Sequence, residues 1–238
     1  MSPGKSDWPI PEGWCLEVVY KPIRNIWFRA NARTRVFAVS APVKTSRETL
    51  GRAIRSKADW MASRAACPAS PALIPSELKN GDTCFFQGEL YAVSVRKGCL
   101  KNRVAFEPDA GIELQVRGEA DSQVCARVLS VWYRQMLDQA IRGLLETWQP
   151  RLGVQVKECR IRKMISRWGS CNIRAKRVWI NESLICLSPD LLAYVLVHEL
   201  LHLIEPSHNH RFYRLMAGFV PDWREKKARL SAHAPGLS

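Results

Sequence analysis

The stretch Val197-His198-Glu199-Leu200-Leu201-His202 constrains this chain more than any other. It sets H-E-x-x-H at the end of the apolar run Leu191-Leu192-Ala193-Tyr194-Val195-Leu196-Val197, a composition that suits a buried helix. Residues four apart share a helix face, so the imidazoles of His198 and His202 point the same way, one turn apart. Two neutral nitrogens at that spacing reach one Zn²⁺ at about 2.0–2.1 Å each. Glu199 then lies on an adjacent edge of the helix, where it takes a proton from an activated water without occupying the metal. Ser188-Pro189-Asp190 predicts the helix start, with an N-cap serine, a proline at the first helical position and an acid in the first turn. Pro206 predicts the stop, near Ile204-Glu205. Just beyond lie His208 and His210, and either can turn back as a third ligand. All five histidines follow position 197, and four fall within thirteen residues, which concentrates the metal chemistry in one segment.

A chain of 238 residues buries a substantial core, as one large domain or two small ones. No apolar run approaches a membrane span, and the start, Met1 to Pro9, has no apolar leader. A cytoplasmic protein without membrane contact is therefore the expectation. Cys15, Cys67, Cys84, Cys99, Cys125, Cys159, Cys171 and Cys186 form no C-x-x-C pair, which fits reduced and mostly buried thiols. The formal charge of +14 is no tail effect: residues 1–118 carry 18 basic and 11 acidic groups, and residues 119–238 repeat those counts. Such a field favours acidic partners or polyanions.

Taken in order, Leu16–Tyr20, Ile26–Ala30 and Arg35–Ser40 read as three short strands with turns between them. Thr45-Ser46-Arg47-Glu48 reads as a capping box opening one helix, with Leu50, Ile54, Ala58 and Met61 on its apolar stripe. Cys67–Pro71 is linker-like. Thr83–Phe86, Glu89–Val95, Arg103–Phe106 and Ile112–Val116 follow as strands, with turn signals at Asn80-Gly81, Gln87-Gly88 and Pro108–Gly111. After Gly118 the period changes to helical, and a helix is predicted from Ser122 to Trp148, stopped by Pro150 and Gly153. Val154–Arg162 reads as a strand and Arg177–Asn181 as its hairpin partner, with Trp168–Asn172 in the tip between them. The metal helix comes next, then closing helices at Arg211–Leu215 and Asp222–Leu230. The expected fold class is α+β: a small antiparallel β-rich domain with one helix over residues 12–118, then a second domain over 119–238 whose active-site helix lies beside a β-hairpin.

Four ordered blocks carry a family likeness: Ser166–Cys171, Ile180–Leu184, Tyr194–Leu203 and Ser207–Tyr213. Together they resemble the YgjP-like zinc metallopeptidases, a group similar in turn to the SprT-like proteases. Ser40-Ala41-Pro42 and Ser56-Lys57-Ala58-Asp59-Trp60 extend the resemblance upstream, so it runs from about residue 16 to residue 230. The resemblance implies a zincin-type active-site helix, one zinc per chain and peptide-bond hydrolysis on peptide or protein substrates. By position, His198, Glu199 and His202 match the family's H-E-L-x-H, and His208 matches its third ligand. Ser207 and Asn209 replace the family's usual Asn and Ser around that histidine, and Tyr213 replaces a tryptophan.

His208 also lies six residues past His202, the interval of the longer metzincin pattern, but Glu205 occupies that pattern's glycine position. No Met-turn is evident, and Met216 reads as core. Rivals for the third position are His210, Cys171 (a His₂Cys site of the deformylase kind) and Glu225 (a downstream glutamate of the thermolysin kind). Three protein ligands leave a fourth position open, the mark of a catalytic site. Candidates for oxyanion support are Tyr194, Tyr213, Arg167 and Asn172, while Trp168 and Cys171 read as hairpin packing and Asn181 as a cap or brace of the hairpin. Arg160, Arg162, Lys163, Arg167, Arg174, Lys176 and Arg177 crowd the hairpin against Glu158. If it borders the cleft, an extended peptide adds to its edge, and the charge favours acidic side chains or a nucleic-acid backbone. The expected function is a zinc-dependent peptidase with Glu199 as general base. The alternatives are a nucleic-acid-associated SprT-like protease and a non-peptidase zinc hydrolase such as a deformylase or amidase.

Overall fold

The computed structural model describes residues 8–31, 35–66, 73–164 and 167–233. The chain divides into two compact units, Met1–Pro71 with Ser231–Ser238, and Ala72–Leu230. The strands of residues 83–115 share a core with the helix that follows them, so they group with the second half. The linker-like stretch Cys67–Pro71 lies outside the described residues.

The first unit is built on β3 (Val36–Pro42), flanked by β1 (Cys15–Lys21) and β2 (Trp27–Asn31) in the order β1-β3-β2. β2 pairs antiparallel with β3, but β1 runs parallel to it, so the sheet is mixed where an antiparallel one was expected. The link after β1 carries the chain past the β3 position before it turns back. Strand alternation aims Phe37, Val39 and Ala41 inward, all fully buried. Leu50 and Ile54 of α1 (Arg47–Arg55) and Met61 of α2 (Ala58–Ala66) close that core. Burial of each such side chain contributes about 1.5–3 kcal/mol. One helix was expected here, capped by Thr45. The cap is Ser46, whose Oγ accepts from the Thr49 amide at 3.2 Å, and the helix breaks at Ser56-Lys57. At the break Ser56 N–H bonds Arg52 O (2.9 Å) and Lys57 N–H bonds Ile54 O (3.0 Å), a tightened turn that re-aims the second helix while keeping Met61 on the sheet.

The second unit begins with a four-stranded sheet of β4 (Thr83–Phe86), β5 (Glu89–Arg96), β6 (Arg103–Glu107) and β7 (Gly111–Gln115), in the order β4-β5-β7-β6. The β4–β5 turn puts both Gln87 and Gly88 at positive φ, the backbone that matches strand twist in a two-residue hairpin. Gly111, at φ 91°, is fixed by contact: a Cβ there would sit 2.5 Å from Ala92 O on the neighbouring strand. β5 and β7 pair parallel. The long helix α3 (Ser122–Leu152) covers the sheet, with Phe86 packed on Phe106, Trp132 and Tyr133 at centroid distances of 4.9, 4.6 and 6.1 Å. Asp121 caps its start through Val124 N–H at 2.7 Å. Pro150 was expected to stop α3 but sits in its last turn, and termination falls to Gly153 at φ 64°.

The third sheet consists of β8 (Glu158–Arg162), β9 (Gly169–Asn172) and β10 (Arg177–Asn181), ordered β8-β10-β9. Here the sequence reading is corrected: β8 and β10 are parallel, and the hairpin partner of β10 is β9, the segment read as a tip. The turn is only residues 173–176, closed by Ala175 N–H on Asn172 Oδ1 (3.0 Å) and Lys176 N–H on Ile173 O (3.2 Å). A 3₁₀ turn at Glu182–Cys186 leads to α4 (Pro189–Leu201), then α5 (His210–Phe219) and α6 (Trp223–His233). The fold is thus α+β, with small sheets and six helices among the described residues. No helix among the described residues is long and apolar enough to cross a membrane.

Candidate metal centre

α4 is apolar on nearly every side, and its sequence buries Leu191, Leu192, Val195, Leu196, Val197, Leu200 and Leu201. That immobilises the two histidines at its C-terminal end. Ser188 is the N-cap by position, but its hydroxyl makes no cap bond. It accepts from Arg229 of α6 at 2.7 Å, and the same guanidinium grips Asp190 at 2.8 and 3.3 Å. The helix stops at Leu201 with His202 as C-cap, earlier than the expected Ile204-Glu205. Ile204 and Glu205 N–H groups both converge on Leu201 O (2.9 and 2.8 Å), which winds the chain tightly before Pro206. The carbonyl of Glu205 then lies 3.2 Å from His202 Nδ1. An Nδ1–H donating there leaves His202 Nε2 with its lone pair outward.

The return of the chain brings His208 back onto α4. His208 Nε2 lies 2.8 Å from His198 Nε2, and ligand atoms of His198, His202 and His208 all fall within 4.8 Å of one another. His210 is instead the first residue of α5 and exposed, and neither Cys171 nor Glu225 joins the cluster. Phe212, fully buried, packs against all three imidazoles at centroid distances of 5.0, 4.9 and 4.8 Å and forms the floor of the site. Tyr213 stacks between His208 (6.2 Å) and Trp223 (4.9 Å). Met216 lies in the core, as read from the sequence.

Electrostatics show what this arrangement accepts. Burial, reinforced by His202, His208 and Lys227, drops the His198 pKa to about 3, and burial lowers those of His202 and His208. Three neutral imidazoles therefore gather their ring nitrogens within 4.8 Å of one another, a donor set that fits a divalent cation of borderline softness such as zinc. Burial raises the Glu199 carboxyl to about 8, with the cationic Arg167 pulling the other way.

Glu199 is held by a contact the sequence did not single out. A Cβ built on Gly169 of β9 would lie 2.6 Å from Glu199 Oε1, 2.7 Å from Cγ and 2.9 Å from Cδ. The carboxylate thus rests on bare β9 backbone. Gly169 was legible only as one residue of a W-G-S-C block. Asn181, nearly fully buried, holds the segment that feeds β9: its Nδ2 donates to Met164 O (2.9 Å) and Arg167 O (2.8 Å), and its Oδ1 accepts from Ser183 N–H (3.1 Å). Asn181 thus both caps the 3₁₀ turn and braces the segment before β9, with both of its amide hydrogens engaged. Trp168 is buried, and burial beside Glu199 pushes the Cys171 thiol up to about 11, the behaviour of packing residues. Tyr194 lies one turn before His198, with rings 6.1 Å apart, whereas Asn172 is occupied by the hairpin turn.

The YgjP-like metallopeptidase domain model matches residues 24–233. The chain belongs to the YgjP-like metallopeptidase family. Among solved structures it is similar to the metallopeptidase zymogen abylysin of Pyrococcus abyssi, at 24% identity and a TM-score of 0.36, over 38% of this chain and 91% of that one. No curated protein matches the chain.

Asn209 caps α5 by accepting from Phe212 N–H at 3.0 Å, which joins the residue after His208 to the floor of the site. Asn209→Ala is expected to cost about 1 kcal/mol of stability in urea melts. It should also weaken metal binding in a chelator competition, since His208 loses its anchored neighbour.

Proposed function

We propose that this YgjP-like metallopeptidase is a zinc-dependent, cytoplasmic enzyme that hydrolyses peptide bonds, with His198, His202 and His208 holding one zinc per chain and Glu199 as general base. The observation that carries this reading is the convergence of three neutral imidazoles, the first of them followed directly in sequence by Glu199. The seven described cysteines, all free thiols, support the cytoplasmic placement. Zinc in that position supplies Lewis acidity toward water and toward the scissile carbonyl.

The chain's own groups do the rest. Glu199 accepts the proton of the attacking water and passes it to the leaving amine. Gly169 leaves the space in which its carboxylate lies. β9 is the outer strand of its sheet, pairing only with β10 among the described residues, so a substrate strand adds along its free edge beside Glu199. Phe212 keeps the three imidazoles at fixed spacing through packing alone.

The test combines metal analysis with a general peptide substrate. The purified protein is expected to carry about one zinc per chain, to lose hydrolysis on treatment with a chelator and to regain it with added Zn²⁺. Full activity in stripped protein would overturn the proposal. Activity on formyl-peptides alone would move the reading to a deformylase.

A further inference from the structure

We propose that this cleft selects acidic peptide segments, taking Asp or Glu side chains on both sides of the scissile bond through the cations that bracket β9. The inference rests on the peptidase reading above and names its substrate class.

Three observations lead to it. The first is placement. β9 spans Gly169–Asn172, and four extended residues cover about 13 Å. Arg167 stands just before that edge and Arg174 just after it, with Lys176 in the same turn, and all three are exposed. A strand laid along the edge with its reacting bond near Glu199 therefore meets a cation at either end. The second is that, apart from the buried Glu199 on which Arg167 acts, the neighbouring acids are already engaged. Glu158 is engaged by both Arg160 and Arg177, and Glu205 faces Arg211 at 3.6 Å. Arg162, Lys163, Arg167, Arg174 and Lys176, by contrast, form no ion pair among the described residues. Between residues 157 and 177 the chain has eight Lys and Arg against a single Glu. The third is the field at the reacting groups themselves. Arg167 acts on Glu199, and Lys227 acts on His198 and His208, so the outside charges felt there are positive. Substrate carboxylates flanking the reacting bond neutralise this ring, whereas lysines add to it. Steering by the net positive charge acts in the same direction.

The test uses zinc-loaded, full-length Glu199→Gln protein and fluorescein-labelled peptides of one length, with an aliphatic centre flanked by Glu, Gln or Lys. Anisotropy titrations read binding without requiring turnover, so failure of this inference is distinguishable from failure of the peptidase reading. The expected order is Glu, then Gln, then Lys, with about tenfold between the extremes at low salt and less as salt rises. Arg167→Gln with Arg174→Gln should compress the range to about twofold. Lys101→Gln with Arg103→Gln, which removes the same charge from the four-stranded sheet, should leave it intact. Equal binding of the three peptides would overturn the proposal, and so would equal compression by both double variants. A short single-stranded oligonucleotide is titrated in parallel. If it binds more tightly than the Glu peptide, the cations serve a nucleic-acid backbone and the acidic-peptide proposal fails.

Discussion

Glu199→Gln is expected to retain its zinc and lose peptide hydrolysis by about 10²–10⁴-fold in kcat/KM. At 1.36 kcal/mol per decade that is about 3–5 kcal/mol of transition-state stabilisation. The substitution keeps the size of the side chain, so the close fit against Gly169 survives and the helix has no reason to move. What disappears is a group that can accept a proton. The three imidazoles are contributed by other residues, so metal content measured by elemental analysis should match that of the parent protein. Parent-like cleavage by this variant would remove Glu199 from the role of base. Loss of metal together with activity would instead make its role structural.

Gly169→Ala is the second large expected effect, and it acts from a different element. The added methyl would lie 2.6–2.9 Å from three atoms of the Glu199 side chain, closer than van der Waals contact permits. Gly169 is not among the residues at positive φ, so the backbone tolerates alanine and the strain is carried by the contact alone. Because Glu199 is buried, its side chain has little room to yield without leaving its place against β9. Activity should fall by about 10²-fold, in line with the sensitivity of reacting groups to displacements of about 1 Å. Overpacking of this kind costs about 1–3 kcal/mol of stability, readable as a lowered urea midpoint. Zinc content should stay near one per chain. An alanine variant with parent-like kcat would mean that the carboxylate works from a position other than the one beside β9.

The histidine cluster was legible in the sequence because helix periodicity turns a spacing of four into a shared face, and Pro206 forces the chain to return just after it. The residue returned by that turn is His208, and the six-residue interval from His202 brings its ring to 4.6 Å from that of His202. The strands of both N-terminal sheets were legible too, because alternation and glycine-marked turns are local signals, as at Gln87-Gly88. Pairing partners were not. Nothing within Gly169–Asn172 announces that it pairs with β10 while β8 lies parallel on the other side, because the bonds that accompany that pairing, such as those of Asn181 to the backbone of residues 164 and 167, are non-local. Helix ends depart from the local rules where a tertiary partner competes. Ser188 gives its hydroxyl to Arg229 rather than to its own helix, and the His202 ring meets Glu205 O in the turn that closes α4.

The clasp of Arg229 on the start of α4 bears on how the site is assembled. Arg229 lies 41 residues downstream of Ser188, so the ribosome delivers the histidine-bearing segment well before the residue that secures its beginning. Fastening the start of the helix that carries His198 and His202 therefore waits on a contact distant in the chain, made only when α6 docks.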